Sequence, residues 1–215
     1  MMRMKMKAIV ASLALAAMLT GCGTDAGERQ QGAGGEAQAE RRTSFSEAPA
    51  MQIDTSKTYT ATVKTTKGEF TIELFAKDAP IAVNNFVFLA KQRYFEGIVF
   101  HRIVPGFVIQ TGDPTGTGRG GPGYTFEDEL DSPHQYEPGI VAMANAGKNT
   151  NGSQFFICTG EWSKDLNQYP DYTIFGRVAS GMDAVLAIDA TPVGGPQNQT
   201  PLEEVKIESV TIHES

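Results

Sequence analysis

A mainly β fold, a closed eight-stranded antiparallel barrel capped by two α-helices, is what the sequence predicts for residues 57–215. Three observations predict it. Eight short segments rich in branched and aromatic residues follow one another between Gly, Pro, Asn and Asp turn signals. Helical periodicity occurs in only two places. The 23 glycines and 11 prolines of the 215-residue chain suit a loop-rich, strand-rich globule better than a helical bundle. Closing eight strands on themselves removes exposed edges, which favours a barrel, although periodicity alone leaves barrel and sandwich open.

The first element is not part of that fold. Arg3, Lys5 and Lys7 precede an uncharged, mostly apolar run from Ala8 to Met18, closed by Leu19-Thr20-Gly21-Cys22. This is a secretory signal pattern, and the run is well short of the roughly 20 residues of a permanent membrane span. Its ending resembles the lipobox of bacterial lipoproteins, which implies cleavage before Cys22 and a diacylglycerol on the Cys22 thiol. Residues 1–21 are then a lipoprotein signal peptide. Its removal takes away Arg3, Lys5 and Lys7 and no acid, so the net charge falls from −7 to −10. Acyl chains contribute about 0.8 kcal/mol per buried methylene, so a multiply acylated Cys22 makes a stable anchor. The expected location is extracytoplasmic, lipid-anchored to a bacterial membrane.

From residue 23 to 56 Gly, Ala, Gln, Glu, Ser and Arg dominate. Such a stretch buries too little apolar area to offset its ordering entropy. With lipidated Cys22, residues 22–56 read as a flexible tether whose ends lie roughly 30 to 35 Å apart as a random coil.

Within the domain, Tyr59 to Thr65 and Glu69 to Phe75 alternate around a Lys67-Gly68 turn, a hairpin signal. Asp78 is the expected N-cap of a helix with Pro80 in its first turn and a stripe of Ile81, Phe86, Leu89 and Ala90, reaching about Arg93. Further strands are expected at Val99 to Ile103, Phe107 to Gln110, Ile140 to Asn145, Gln154 to Thr159, Thr173 to Val178 and Val205 to Ile212. A second helix fits Met182 to Ile188.

Several chemistries are excluded. A surplus of 25 acidic over 18 basic residues argues against a broad nucleic-acid-binding face. Two cysteines make neither a disulfide scaffold nor a four-thiolate zinc site. Cys158, between Ile157 and Thr159, reads as a buried small hydrophobe rather than a reactive thiol. There is no Gly-x-Ser-x-Gly and no His-Glu-x-x-His, and the three histidines, His101, His134 and His213, lack metal spacing. His101 reads as a hydrogen-bonded structural residue. Gly118, Gly120 and Gly123 match Gly-x-Gly-x-x-Gly, but Pro122 lies inside the motif and an acidic run follows it, so the segment is a surface loop of the kind that borders binding sites.

Two stretches carry more information. One is Phe100-His101-Arg102-Ile103-Val104-Pro105-Gly106-Phe107-Val108-Ile109-Gln110-Thr111-Gly112-Asp113. The other is Met143-Ala144-Asn145-Ala146-Gly147, followed by Asn149-Thr150-Asn151-Gly152-Ser153-Gln154-Phe155-Phe156-Ile157. Both resemble the signature segments of the cyclophilin family of peptidyl-prolyl cis-trans isomerases, in the right order and nearly without gaps. The resemblance implies the barrel fold, isomerase activity on X-Pro bonds and a role in folding secreted or surface proteins. It implies Arg102 and Gln110 as catalytic residues. Phe107, Val108 and Phe156 would line the proline pocket, with Leu166 and Tyr172 beside them. Ala144, Asn145 and Ala146 would hold the extended peptide. Its partners are proline-containing polypeptides and, through Cys22, a membrane; no nucleic acid and no cofactor are expected, and the chain is expected to act as a monomer. Three departures stand out: Val108 where methionine is common, Tyr172 where histidine is common, and a longer Gly160 to Leu166 segment in which Trp162 reads as a loop anchor.

The chemistry fits these residue types. Peptide-bond rotation faces a barrier of about 18 to 20 kcal/mol, and X-Pro isomers exchange unaided in about 10 to 100 s. No bond breaks, so no nucleophile is needed. The prolyl nitrogen regains a lone pair in the twisted transition state, and a fixed donor stabilises it more there than in the planar ground state. Arg102 supplies a permanent charge and several N–H groups in a rigid fork. The competing reading is a non-catalytic chaperone or scaffold that binds proline peptides on the same barrel. A binder needs no donor aimed at the amide nitrogen, so the set Arg102, Phe107, Gln110 and Phe156 favours turnover.

Overall fold

Alternation along the strands decides which face each residue takes. In the computed structural model, which describes residues 41–215, strand β1 (Tyr59–Thr65) buries Tyr59, Ala61, Val63 and Thr65, and β2 (Gly68–Leu74) buries Phe70, Ile72 and Leu74. The two form a hairpin with Thr65 opposite Gly68, so the turn residues are Thr66 and Lys67, one position earlier than the sequence suggests. There follow α1 (Pro80–Lys91), β3 (Arg102–Val104), β4 (Val108–Thr111), β5 (Ile140–Met143), β6 (Phe155–Cys158), a 3-10 helix (Glu161–Gln168), β7 (Ile174–Ser180), α2 (Met182–Asp189), the short pair β8 (Val193–Gly194) and β9 (Thr200–Pro201), and β10 (Ile207–Glu214). Among the described residues no helix is long and apolar enough to cross a membrane.

Eight strands form one antiparallel sheet in the order β10-β1-β2-β7-β5-β6-β4-β3. The expected closed barrel is not reached: the sheet curls into a half-barrel whose edge strands β3 and β10 do not pair. The reason lies in where the backbone bonds of residues 97–103 go. Gly97 N–H donates to Ile207 O, Phe100 N–H to Val205 O and Ile103 N–H to Gln199 O. This irregular seam, with an isolated bridge between Val99 and Lys206, satisfies the edge without a continuous ladder.

Both helices pack into the main core. Helix α1 buries Val83, Phe86, Leu89 and Ala90, and Phe86 meets Phe95, Phe155 and Phe175 with ring centroids 5.0 to 5.6 Å apart. Asp78 does not cap α1, as the sequence suggests; Ala79 stands at the N-cap without a side-chain bond, and Asp78 pairs with His134. The exposed amides of the first turn are taken from far along the chain, Ile81 N–H and Ala82 N–H donating to the Glu129 carboxylate at 3.0 and 2.9 Å. Burial pushes the Glu129 carboxyl up in pKa while the two amides pull it back.

Part of the expected tether lies against the domain. Phe45 N–H donates to Pro122 O at 2.8 Å, and its ring packs edge-on against Phe88 at 5.0 Å. The buried Asn84 amide donates to Ala50 O at 3.1 Å and accepts from Gln52 N–H at 2.8 Å, and Ile53 is buried. Phe45 finds Phe88 on α1, Ile53 joins the main core and the backbone finds Asn84, which outweighs the local composition. The signal segment, Cys22 and residues 23–40 fall outside the described residues.

Candidate active site

Three neighbouring strands assemble the centre of the site. In the sheet register Arg102 on β3 is opposite Gln110 on β4, and Gln110 is opposite Phe156 on β6. A pocket of about 210 Å³ opens there, lined by Arg102, Phe107, Val108, Gln110, Ala144, Asn145, Phe156, Leu166 and Tyr172. Of the residues the sequence points to in the domain, only Ala146 stands apart, in an adjoining pocket of about 430 Å³ that shares Gln110, Ala144 and Asn145.

The walls are held from outside the pocket. Gly106, with φ +72°, turns the chain between β3 and β4, and its N–H donates to the Asp189 carboxylate at the end of α2 at 3.0 to 3.2 Å. This fixes the turn that presents Phe107. Ser163 Oγ donates to Phe107 O at 2.6 Å and ties the 3-10 helix bearing Leu166 to the same turn. The Phe156 and Tyr172 rings meet edge-to-face at 5.4 Å, a favoured aromatic geometry. Tyr136 O–H donates to Tyr172 O and accepts from Tyr172 N–H; burial pushes its phenol up to about 12, so it stays a donor.

Arg102 is half-buried at the rim. Its Nε donates to Gln199 Oε1 at 2.7 Å and its Nη1 to Gln110 Oε1 at 3.3 Å. Gln110 Nε2 then donates to Gln154 Oε1 at 3.0 Å, and Gln154 Nε2 to Gly120 O at 2.9 Å. This run of amides orients the guanidinium with neutral acceptors, and among the described residues no carboxylate pairs with it. Burial lowers its pKa, yet an arginine remains cationic at neutral pH. Its Nη2 N–H donors have no hydrogen-bond partner among the described residues and can serve a weakly basic nitrogen acceptor, and the walls are apolar, which is the combination a twisted amide nitrogen calls for.

Some expected roles change. Asn145 uses its side chain locally, Nδ2 donating to Asp171 O at 2.9 Å and Oδ1 accepting from Gly147 N–H at 3.2 Å. Trp162 is no loop anchor: it is 67% exposed, because the buried Ser163 anchors that helix instead. His101 is not a hydrogen-bonded residue of a strand. It precedes β3, and neither ring nitrogen has a protein partner. The Gly118 to Gly123 loop does border a cavity, and Asp113 holds it from beneath through Thr115 N–H at 2.7 Å and Thr117 N–H at 3.0 Å. At Gly120 a Cβ would come within 2.0 Å of Asp113 Oδ1, so the loop closes over that carboxylate only with glycine. Sequence reasoning missed Gln199 and Gln154. Gln154 sits inside the second signature stretch and could have been singled out; nothing near Gln199 signals its contact with Arg102.

Comparison with known proteins agrees with this geometry. The family model described as cyclophilin type peptidyl-prolyl cis-trans isomerase/CLD matches residues 60–212. Peptidyl-prolyl cis-trans isomerase A of Mycobacterium tuberculosis is 46% identical over 173 residues, covering 72% of this chain and 92% of that protein. Human peptidyl-prolyl cis-trans isomerase-like 3 is 42% identical over 156 residues, covering 71% and 94%. A crystal structure of a Cryptosporidium parvum cyclophilin type isomerase superposes with a TM-score of 0.68 at 35% identity, over 74% of this chain and 99% of that one. The same enzyme in the presence of the dipeptide Ala-Pro gives a TM-score of 0.67 at 36% identity, over 73% and 99%. A curled antiparallel sheet, an arginine beside an apolar pocket and a match across nearly the whole sheet lead to one conclusion: the chain belongs to the cyclophilin-type peptidyl-prolyl cis-trans isomerase family.

Proposed function

We propose that the chain catalyses rotation about X-Pro bonds of secreted or surface proteins while tethered to a bacterial membrane, outside the cytoplasm, through a lipidated Cys22. One observation carries the catalytic part. Arg102, tied by neutral amides at Nε and Nη1, stands beside a pocket of proline size walled by Phe107, Val108, Phe156, Leu166 and Tyr172. The pyrrolidine ring enters the apolar pocket, which leaves the prolyl nitrogen near the guanidinium. Arg102 donates to that nitrogen as its lone pair develops, and Gln110 holds Arg102 and contacts the substrate backbone. Ala144, Asn145 and Ala146 line the adjoining path for the extended peptide. The enzyme works as a monomer and without a cofactor in this reading. The lipoprotein part rests on the Leu19-Thr20-Gly21-Cys22 sequence.

NMR exchange on a proline tetrapeptide tests catalysis. Wild type accelerates exchange, and Arg102→Ala loses one or more orders of magnitude while fold and peptide binding persist. Equal exchange with and without wild-type protein would overturn the enzyme reading. For the anchor, Cys22→Ser releases the protein from membranes, and continued retention would count against lipidation.

A further inference from the structure

A second cavity, of about 630 Å³, shares Arg102 and Gln110 with the pocket of about 210 Å³. Its other lining residues include His101, Thr117, Arg119, Gln197 and Thr200. Among the described residues no carboxylate lines it, in a chain whose acids outnumber its bases by seven. The arginines of residues 57–215 divide accordingly. Arg93 pairs with Glu96 at 2.6 Å and Arg177 with Glu73 at 2.8 Å. Arg102 and Arg119, the other two, are in none of the ion pairs seen among the described residues, and both face this cavity. Asp113, the acid that acts on His101, is 1% exposed and spends its oxygens on the amides of the loop above it. His101 adds no charge at neutral pH, since burial lowers its pKa against the pull of Asp113 and with the push of Arg102. The amides and hydroxyls of Gln197, Thr117 and Thr200 complete a polar lining.

We infer that this cavity is a subsite for an acidic side chain of the polypeptide substrate, an Asp or Glu within two residues of the isomerised proline, received between Arg119 and the outer side of Arg102. The inference rests on the isomerase reading for the path of the chain: a peptide with its proline ring in the first pocket must pass Arg102 and Gln110, the two residues both cavities share. A carboxylate there pairs with a planar guanidinium fork in geometry that a lysine would not match. The local positive field also draws acidic segments to a protein whose overall charge repels them. Arg119 is exposed, so the preference is modest and salt-sensitive.

The test uses matched peptides carrying Glu or Gln at each of the two positions before and after a single proline, with both affinity and exchange rate read by NMR. At low ionic strength one position gives a Glu peptide bound about threefold or more tighter than its Gln partner. That ratio falls towards one in 0.5 M salt and in Arg119→Gln, and the Arg119 Nε–H signal of wild type shifts with the Glu peptide only. A ratio near one at all four positions overturns the subsite, as does a ratio that Arg119→Gln leaves intact. Affinity is read independently of turnover, so a Glu preference without accelerated exchange overturns the isomerase reading and leaves the subsite, whereas exchange without preference does the reverse.

Discussion

The two faces of the same four strands do different work. On β6, Phe155 and Ile157 belong to the main core with α1 and α2, while Phe156 and Cys158 belong to a smaller cluster by the pocket beside Arg102. Strands β4, β5 and β7 divide likewise: Ile109, Val141, Met143 and Phe175 go inward, and Val108, Ile140, Ala142 and Ile174 go outward. The inner face is closed by helices. The outer face is covered only by Tyr136, the 3-10 helix and neighbouring turns, so part of its apolar surface stays open to a ligand. One strand therefore serves stability and recognition through the two-residue period of its side chains.

Five measurements would break or sharpen that contrast, the largest effect first. Phe155→Ala should cost about 3 to 5 kcal/mol of stability, read by urea denaturation, because its ring meets Phe86, Phe95 and Phe175. The protein that remains folded should keep its substrate affinity. Arg102→Ala should reverse the pattern, with kcat/KM down ten- to a hundredfold, about 1.4 to 2.7 kcal/mol of transition-state stabilisation, and the denaturation midpoint almost unmoved. Phe156→Ala should weaken peptide binding by about tenfold and destabilise by clearly less than Phe155→Ala, since its cluster is smaller and open; equal stability losses for the two would show that the faces are not distinct in the way described.

The fourth concerns reach beyond the pocket. Gln199→Leu should lower kcat three- to tenfold with KM little changed and shift the Arg102 Nε–H resonance, about 0.7 to 1.4 kcal/mol, and Gln199→Asn should restore part of the loss. A KM effect alone would make Gln199 a binding residue instead. Smallest of all is the response of Cys158 on the outer face. Burial pushes its thiol up to about 12, against a bond with Ser163, so almost no thiolate exists at pH 8. Native protein should resist iodoacetamide at that pH and react fully once unfolded. Rapid native labelling would mean that the outer cluster opens far more often than the inner one.

Much of this was legible in the chain. The eight strand segments, both helices and the opposed directions of Phe155 and Phe156 follow from local periodicity. The pocket set came instead from the resemblance, most of it carried by the two signature stretches, with Leu166 and Tyr172 lying beyond them. What was not legible depended on distant groups. Glu129 caps α1 from 48 residues away, where the local signal was Asp78. Phe45 and Ile53 look isolated in a polar stretch until Phe88 of α1 meets the first and the main core takes in the second. Gln199 reaches Arg102 across 97 positions, from a polar segment with no pattern of its own.

By itself, then, the sequence determined the eight main strand segments, the two α-helices and the faces of the strands, because each of these is a short-range property of side-chain period and turn chemistry. The tertiary structure decided that the sheet stops short of closure, that Arg102 is held by neutral amides rather than by a carboxylate, and that Arg119 joins it in a second cavity. Those outcomes depend on where backbone groups and charges far apart in the chain find partners. Hydrogen bonds and ion pairs are bound by distance in space, and no local pattern in the sequence encodes it.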